Sequence, residues 1–149
     1  MRNVPHIRPM VIADLKQLHN INSAIVADEG ALNHMLYSSK GNCHTFLVNG
    51  EPAAVVGASC LWEGVWQVWA MVTNEIRGHG LYFTKTCQLI LDKSAKYYDV
   101  KRYNIIVDST DKEHIRWAKL LGFQYEYTMV RASVYDTDVL GYVKFMKGE

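Results

Sequence analysis

The stretch Val72-Thr73-Asn74-Glu75-Ile76-Arg77-Gly78-His79-Gly80 connects an apolar, β-forming run to a helical pattern across a glycine-rich turn. Glycines let a backbone approach a bound anion closely. The N–H groups of the first helical turn lack intrahelical acceptors, and the helix dipole favours negative charge at that end. The stretch therefore predicts a cradle for an anion such as a pyrophosphate, although tight turns of this kind also form for steric reasons alone.

Upstream of this stretch, the sequence predicts a short strand, two helices and a three-stranded meander. The dipeptide Asn49-Gly50 lies between two β-forming runs and is a strong hairpin signal. The predicted strands cover residues 6–9, 45–48, 53–61 and 65–72, and the predicted helices cover residues 15–25 and 31–37.

Downstream, the 3.6-residue spacing of apolar side chains predicts a long helix from Gly80 to about Tyr98. A short strand over residues 103–107 precedes capping residues and a helix that Gly122 closes. Residues 123–130 and 139–146 predict a final antiparallel pair. The order β-α-α-β-β-β-α-β-α-β-β, with no repeat or linker, indicates a single domain over residues 1–149.

The composition is that of an ordinary globular chain, with 49% hydrophobic and 21% charged residues in 149. Sixteen Lys plus Arg against fifteen Asp plus Glu leave a net charge of +1, so no global field favours nucleic acid or a membrane. Three widely spaced cysteines without a Cys/His ladder favour reduced thiols and no metal site. The start of the chain lacks a signal-peptide pattern, so we expect a cytoplasmic protein.

Three features together resemble the GCN5-related N-acetyltransferase (GNAT) superfamily over nearly the whole chain. They are the opening Ile7-Arg8-Pro9 before an amphipathic helix, the Arg77-Gly78-His79-Gly80 turn, and the helix that ends in Leu121-Gly122-Phe123. The resemblance implies an α/β (α+β) fold with a mixed sheet of about six to seven strands flanked by about four helices. It also implies acetyl transfer from acetyl-CoA to an amine of unknown identity.

The resemblance also implies where the cofactor would bind. In the superfamily the pantetheine arm lies along the strand before the loop, which here implies backbone contacts from Ala70, Met71 and Val72. The loop residues implied to hold the pyrophosphate are Arg77, Gly78, His79, Gly80 and Leu81.

Several positions depart from the superfamily's pattern, and two of them bear most directly on cofactor binding and catalysis. Tyr82 stands where a small residue usually lets the cofactor come close, and Ala118 stands where many members carry a tyrosine that protonates the leaving thiolate. Acetylation also requires a group that accepts the proton of the amine. The candidates are Glu63, Glu75 and His114. Each residue also has an explanation without catalysis: Glu63 belongs to a surface turn, Glu75 to a solvated loop, and His114 packs on an aromatic side chain of its helix.

Residues 113–128 resemble a second, narrower group, the GNAT-like proteins of short-tailed phages related to internal virion protein A. This resemblance implies a phage or virion protein that acts through phage or host protein partners with its chemistry partly lost. The alternatives of an acetyltransferase and a non-catalytic binding protein therefore stay open. So does a homodimer, whereas nucleic-acid and membrane partners are not expected.

Overall fold

The computed structural model describes residues 5–21, 33–34 and 37–146. Seven strands form one mixed sheet in the order β1-β2-β3-β4-β5-β7-β6, with β4 in the centre as predicted. The strands are β1 (His6–Pro9), β2 (Cys43–Val48), β3 (Glu51–Trp62), β4 (Val65–Val72), β5 (Arg102–Asp108), β6 (Gln124–Met129) and β7 (Val139–Phe145). The helices are α1 (Ile12–Ile21), α2 (Asn74–Arg77), α3 (Gly80–Tyr97) and α4 (Lys112–Leu120).

The predicted mixed α and β architecture is confirmed, with two differences in detail. The second predicted helix is helical at residues 33–34 and 37–38, and the rest of it, like residues 22–25 of the first, lies outside the described residues. The one-turn helix α2 was not predicted, because four residues are too few to show a helical period.

The chain divides into two compact units, Met1–Cys60 with Trp69–Phe83 and Leu61–Val68 with Thr84–Glu149. The single domain expected from the length of the chain stays a prediction. Each unit is described by itself below.

In the first unit, β1, β2 and β3 pair antiparallel. The turn between β2 and β3 places Asn49 and Gly50 at φ values of 55° and 77°. Two consecutive positive φ values suit the right-handed twist of a hairpin, and asparagine and glycine adopt them at the lowest cost. This confirms the Asn-Gly hairpin.

The core of the first unit lies between α1 and the sheet. Leu15 and Leu18 point from α1 onto Cys43 and Val55 of the strands, and Trp69 and Met71 of β4 pack against this cluster. The Trp69 ring lies over Gly57 of β3 and occupies the space that a Cβ atom on this residue would need. Trp69 Nε1 donates to Ser59 Oγ at 3.1 Å. The glycine therefore permits a close contact that fixes the indole on β3.

A buried carboxylate ties α1 to two strands. Asp14 accepts from Arg8 Nη1 and Nη2 at 2.8 and 2.9 Å, from the Val11 N–H at 3.0 Å and from Thr45 Oγ1 at 2.7 Å. Its side chain is only 4% exposed. Burial of a carboxylate is tolerated when every oxygen is hydrogen-bonded and a cation is paired with it, and Asp14 meets both conditions.

In the second unit, β5 lies between β4 and β7. It pairs in parallel with β4 from Val65 to Gln67 and antiparallel with β7 along its whole length, while β6 pairs with β7. Tyr103 is fully buried and donates its hydroxyl to the Leu91 carbonyl of α3 at 2.9 Å. This bond satisfies a polar group that would otherwise be costly inside the core.

Helix α4 begins and ends as its sequence predicts. The Asp111 side chain accepts from the His114 N–H at 3.1 Å as the N-cap, and Gly122 follows the helix with a φ of 95°. Among the described residues, no helix is long and apolar enough to cross a membrane.

Replacing Asp14 by asparagine is expected to lower the free energy of unfolding by about 2 kcal/mol, because the amide cannot accept all four bonds or neutralise Arg8. Urea denaturation followed by circular dichroism measures this loss. The matched variant Glu51→Gln changes an exposed carboxyl in the same way, and we expect it to stay within about 0.5 kcal/mol of the parent chain. Equal effects of the two variants would contradict the role given to Asp14.

Asp14 also predicts a pH dependence. Burial raises the pKa of Asp14, but hydrogen bonds from Arg8, Val11 and Thr45 outweigh it and hold the pKa below its ordinary value. A carboxyl with a lowered folded-state pKa stabilises fully above its unfolded pKa, and this stabilisation is lost as pH falls through the folded pKa. Between about pH 5 and pH 2, stability should therefore fall more steeply in the parent chain than in Asp14→Asn. Parallel stability curves of the two chains would rule this out.

Candidate functional site

Two buried residues anchor the glycine-rich stretch at the end of β4. The N–H and hydroxyl of Thr73 both donate to the Ala53 carbonyl of β3, at 3.0 and 2.7 Å. Ile76 of α2 is 2% exposed and inserts into the core of the first unit. Thr73 and Ile76 thus hold the loop in place through polar and apolar contacts.

The remaining loop residues face solvent. Asn74, Glu75, Arg77, Gly78 and Gly80 are exposed, and the Arg77 guanidinium bonds to the Asn74 side chain. Backbone hydrogen bonds connect α2 to α3 through His79. The His79 N–H donates to the Ile76 carbonyl, and the His79 carbonyl accepts from the Phe83 N–H. An ordered, exposed backbone between two helices is the result.

The backbone conformation does not require glycine at either Gly78 or Gly80. Gly78 has an ordinary helical φ of −66°, and Gly80 is not among the positive-φ residues. A Cβ atom on Gly80 would meet nothing within 4 Å, and one on Gly78 would meet only the Glu75 carbonyl at 3.6 Å. The missing side chains therefore leave open space beside the backbone, which is what the close approach of a ligand needs.

Helix α3 begins in this open space. It is 18 residues long and has no acidic residue in its first turn. Its first N–H groups cannot find acceptors within the helix, and its dipole is not opposed by a carboxylate in that turn. The start of α3 is therefore suited to a phosphate group.

Tyr82 does not project freely into the loop. Its ring packs edge-on against Phe46 of β2, with centroids 6.1 Å apart, and Phe46 also contacts Phe83 at 4.9 Å. The ring is therefore part of the apolar packing beneath α3.

The end of β4 is partly accessible. Ala70, Met71 and Val72 are each half-buried. The parallel ladder of β4 ends at Gln67, five residues before the strand itself ends. The segment of residues 70–72 therefore lies in the part of β4 that extends beyond its pairing with β5.

Comparison with known proteins gives structural matches only. No family model matches the sequence, and no curated protein matches it. Among solved structures, Ard1 from Thermoplasma volcanium superposes with a TM-score of 0.83 at 11% identity, covering 97% of this chain and 99% of that one.

Two further structures agree with this match. The NatC complex bound to Gag peptide and CoA gives a TM-score of 0.82 at 12% identity, over 96% of this chain and 99% of that chain. An acetyltransferase of the GNAT family from Streptococcus pneumoniae gives 0.72 at 14% identity, over 97% and 100%. The chain has the GNAT fold. At these identities, the likeness establishes the architecture and leaves the activity open.

The GNAT fold brings the eight predicted cofactor residues into one unit. Ala70, Met71 and Val72 lead directly into the loop of residues 77–81, and all belong to the first unit. Their role in binding stays a prediction. Glu63 and His114 belong to the second unit.

The surroundings of Glu75 argue against a role as a base. Its own backbone N–H and the side chain of Thr73 lower the pKa of this exposed carboxyl. A carboxylate with a lowered pKa accepts protons poorly, so it is a weak general base near pH 7.

His114 has the better chemistry for accepting a proton. Burial lowers the pKa of His114, although the Asp111 carboxylate raises it in part. Nδ1 lies 3.6 Å from Asp111 Oδ2, and the ring packs edge-on against Trp117 at 5.6 Å. The imidazole is thus neutral at pH 7 and held beside a carboxylate, although the packing expected of a helix histidine is also present.

Among the described residues, no group of three or more His, Cys, Asp or Glu side chains could hold a metal ion.

Neither Thr73 nor Ile76 was predicted as a site residue. The polar anchor Thr73 follows directly on an apolar strand, and the apolar Ile76 stands alone in a polar loop. Those contrasts are visible in the sequence, but the partner Ala53 lies 20 residues away and only the fold identifies it.

Replacing Thr73 by valine is expected to lower the free energy of unfolding by about 1 kcal/mol, since an isosteric methyl replaces the hydroxyl that bonds Ala53. Thr73→Ser keeps the hydroxyl and serves as the control. Chemical denaturation of both variants tests the anchor. If serine costs as much as valine, the hydrogen bond does not hold the loop.

Proposed function

We propose that the chain is an acetyl-CoA-dependent N-acetyltransferase that acts on a peptide or protein amine. The observation that carries the proposal is the open space at Gly78 and Gly80, beside the first turn of α3, which has no acidic residue. This space suits a pyrophosphate because no glycine side chain fills it, and it lies just after the central strand, where the GNAT resemblance implies that the pyrophosphate binds.

The residues of the first unit suit the individual parts of coenzyme A. The N–H groups of Gly80, Leu81 and Tyr82 begin α3 and would donate to phosphate oxygens. Arg77 adds a positive charge at the rim of the loop. The half-buried segment Ala70 to Val72 would bond the amide groups of the pantetheine arm through its backbone.

Acetyl-CoA supplies an acetyl thioester, from which the acetyl group passes to the amine. The amine nitrogen forms a bond to the carbonyl carbon while the carbon–sulfur bond breaks, and the leaving thiolate takes up the proton that the nitrogen loses as the amide forms. The amine must be neutral to react, so its proton is given up to water or to a side chain. Glu75 of the loop is poorly suited to accept that proton, because its pKa is lowered.

A peptide amine is the acceptor class that the comparisons favour. The NatC structure contains a Gag peptide together with CoA, and it matches 96% of this chain. The net charge of the chain is +1, so the chain as a whole has no strong positive potential that would attract nucleic acid.

Replacing Gly80 by alanine separates ligand binding from stability. A Cβ atom at this position meets no protein atom, and alanine is a better helix former than glycine, so the free energy of unfolding should stay equal or rise by up to about 1 kcal/mol. Affinity for CoA should fall about tenfold or more, because the Cβ atom occupies space beside the phosphates. Isothermal titration measures the affinity and thermal denaturation the stability.

Pantetheine, which lacks the phosphates, is the matched ligand for this experiment. Gly80→Ala should bind it as well as the parent chain does. The absence of CoA binding by the parent chain at millimolar concentration, or unchanged CoA affinity in the variant, would refute the proposed site.

A second candidate function is binding without turnover, in a phage or host protein assembly. The observation in its favour is Ala118, which is fully buried in α4 and offers no hydroxyl where many GNAT enzymes carry a tyrosine. Release of free CoA thiol from acetyl-CoA in the presence of peptides with free N-termini distinguishes the two candidates. Turnover supports the transferase, and CoA binding without turnover supports the second candidate.

A further inference from the structure

Helices α3 and α4 carry a charge that the whole chain does not, and their charged residues all lie in the second unit. Helix α3 has three lysines and one aspartate, and α4 has three cations and one glutamate, so together they have a net charge of +4. The net charge of the chain is +1, and the remaining residues are therefore net negative. The neutral total conceals a local basic region.

On α3, four exposed residues follow one another at intervals of four. They alternate between lysine and a large apolar side chain: Lys85, Leu89, Lys93 and Tyr97. Leu89 is 59% exposed and Tyr97 is 82% exposed. Residues four apart are neighbours on a helix surface, so these side chains form one stripe of about 18 Å.

Helix α4 repeats this combination. Arg116 and Lys119 are exposed, and Leu120 is 59% exposed. Gln88 Nε2 of α3 donates to the Leu120 carbonyl at 3.0 Å, and Leu89 follows Gln88 directly. This bond places the end of α4 beside α3, so the exposed leucines and cations belong to neighbouring helices.

The surface is ordered and its charges are available. Tyr97 packs edge-on against Tyr98 at 4.7 Å, and Tyr98 packs against Trp66 at 4.8 Å. Within the described ranges, Lys85, Lys93 and Arg116 make no ion pair with an acidic side chain. The fold does not use these cations, and a partner can bind them without first breaking a contact.

We propose that this α3–α4 face, formed by Lys85, Leu89, Lys93, Tyr97, Arg116 and Leu120, binds an acidic protein surface that presents carboxylates around aliphatic side chains. The cations match the carboxylates, and Leu89 and Leu120 require apolar partners. A nucleic acid would use the cations but leave the leucines exposed. A membrane surface would need a larger apolar face than three separated side chains. This binding surface is independent of the acetyltransferase proposal.

The test uses the full chain and a labelled synthetic helical peptide with leucine and glutamate at intervals of four. A second peptide with glutamine in place of glutamate is its control. Fluorescence anisotropy should show binding of the glutamate peptide only, with an affinity that falls as salt is added. The double variant Lys85→Glu/Lys93→Glu should bind about tenfold more weakly. The variant Lys101→Glu changes an exposed lysine outside both helices and should bind within about twofold of the parent chain.

Leu89→Ser/Leu120→Ser should also weaken binding, and this loss should persist at high salt because it is apolar in origin. All substituted positions are exposed, and unchanged circular dichroism verifies the fold of each variant. Binding of both peptides alike, or equal affinity of the double variants and the parent, would overturn the proposal. The proposal would also be overturned if the chain bound duplex DNA, or vesicles rich in phosphatidylserine, more tightly than the glutamate peptide, and if Lys85→Glu/Lys93→Glu abolished that binding.

Discussion

The hydrogen bonds from Thr73 to the Ala53 carbonyl determine where β4 ends and where the loop begins. Both bonds use one acceptor, so the N–H and the hydroxyl hold the same point of the chain against β3. Beyond this point Ile76 is buried and its neighbours are exposed. This junction sets the position of the loop glycines and of the start of α3, because Gly78 and Gly80 follow Thr73 within seven residues.

The loop shows how a fold and a binding property can be separated physically. Glycine is usually required by a positive φ or by a close contact, as at Gly50 and Gly57. At Gly78 and Gly80 neither reason applies, so the fold would accept a side chain that a ligand would not. A position where the protein tolerates alanine but carries glycine is therefore more informative about binding than a glycine that the backbone needs.

Much of the architecture could be predicted because its signals are local. The Asn49-Gly50 turn, the Asp111 cap and the apolar spacing of α3 each involve residues within a few positions of one another, and the structure confirms them. The position of the glycine-rich loop was predicted for the same reason, and its role in cofactor binding stays a prediction. Helix α2 was missed since one turn shows no period, and the packing of Tyr82 on Phe46 was missed because these residues are 36 positions apart.

The sequence by itself determined the order of the elements, the central position of β4 and the location of the glycine loop, because hydrophobic period and turn chemistry act over short distances. Only the tertiary structure decided that Asp14 binds Arg8 and Thr45, that Thr73 binds Ala53, and that the exposed cations of α3 and α4 lie on neighbouring helices. These contacts join residues that are distant in the chain or on different elements. Their energies depend on burial and distance, which a linear sequence does not contain.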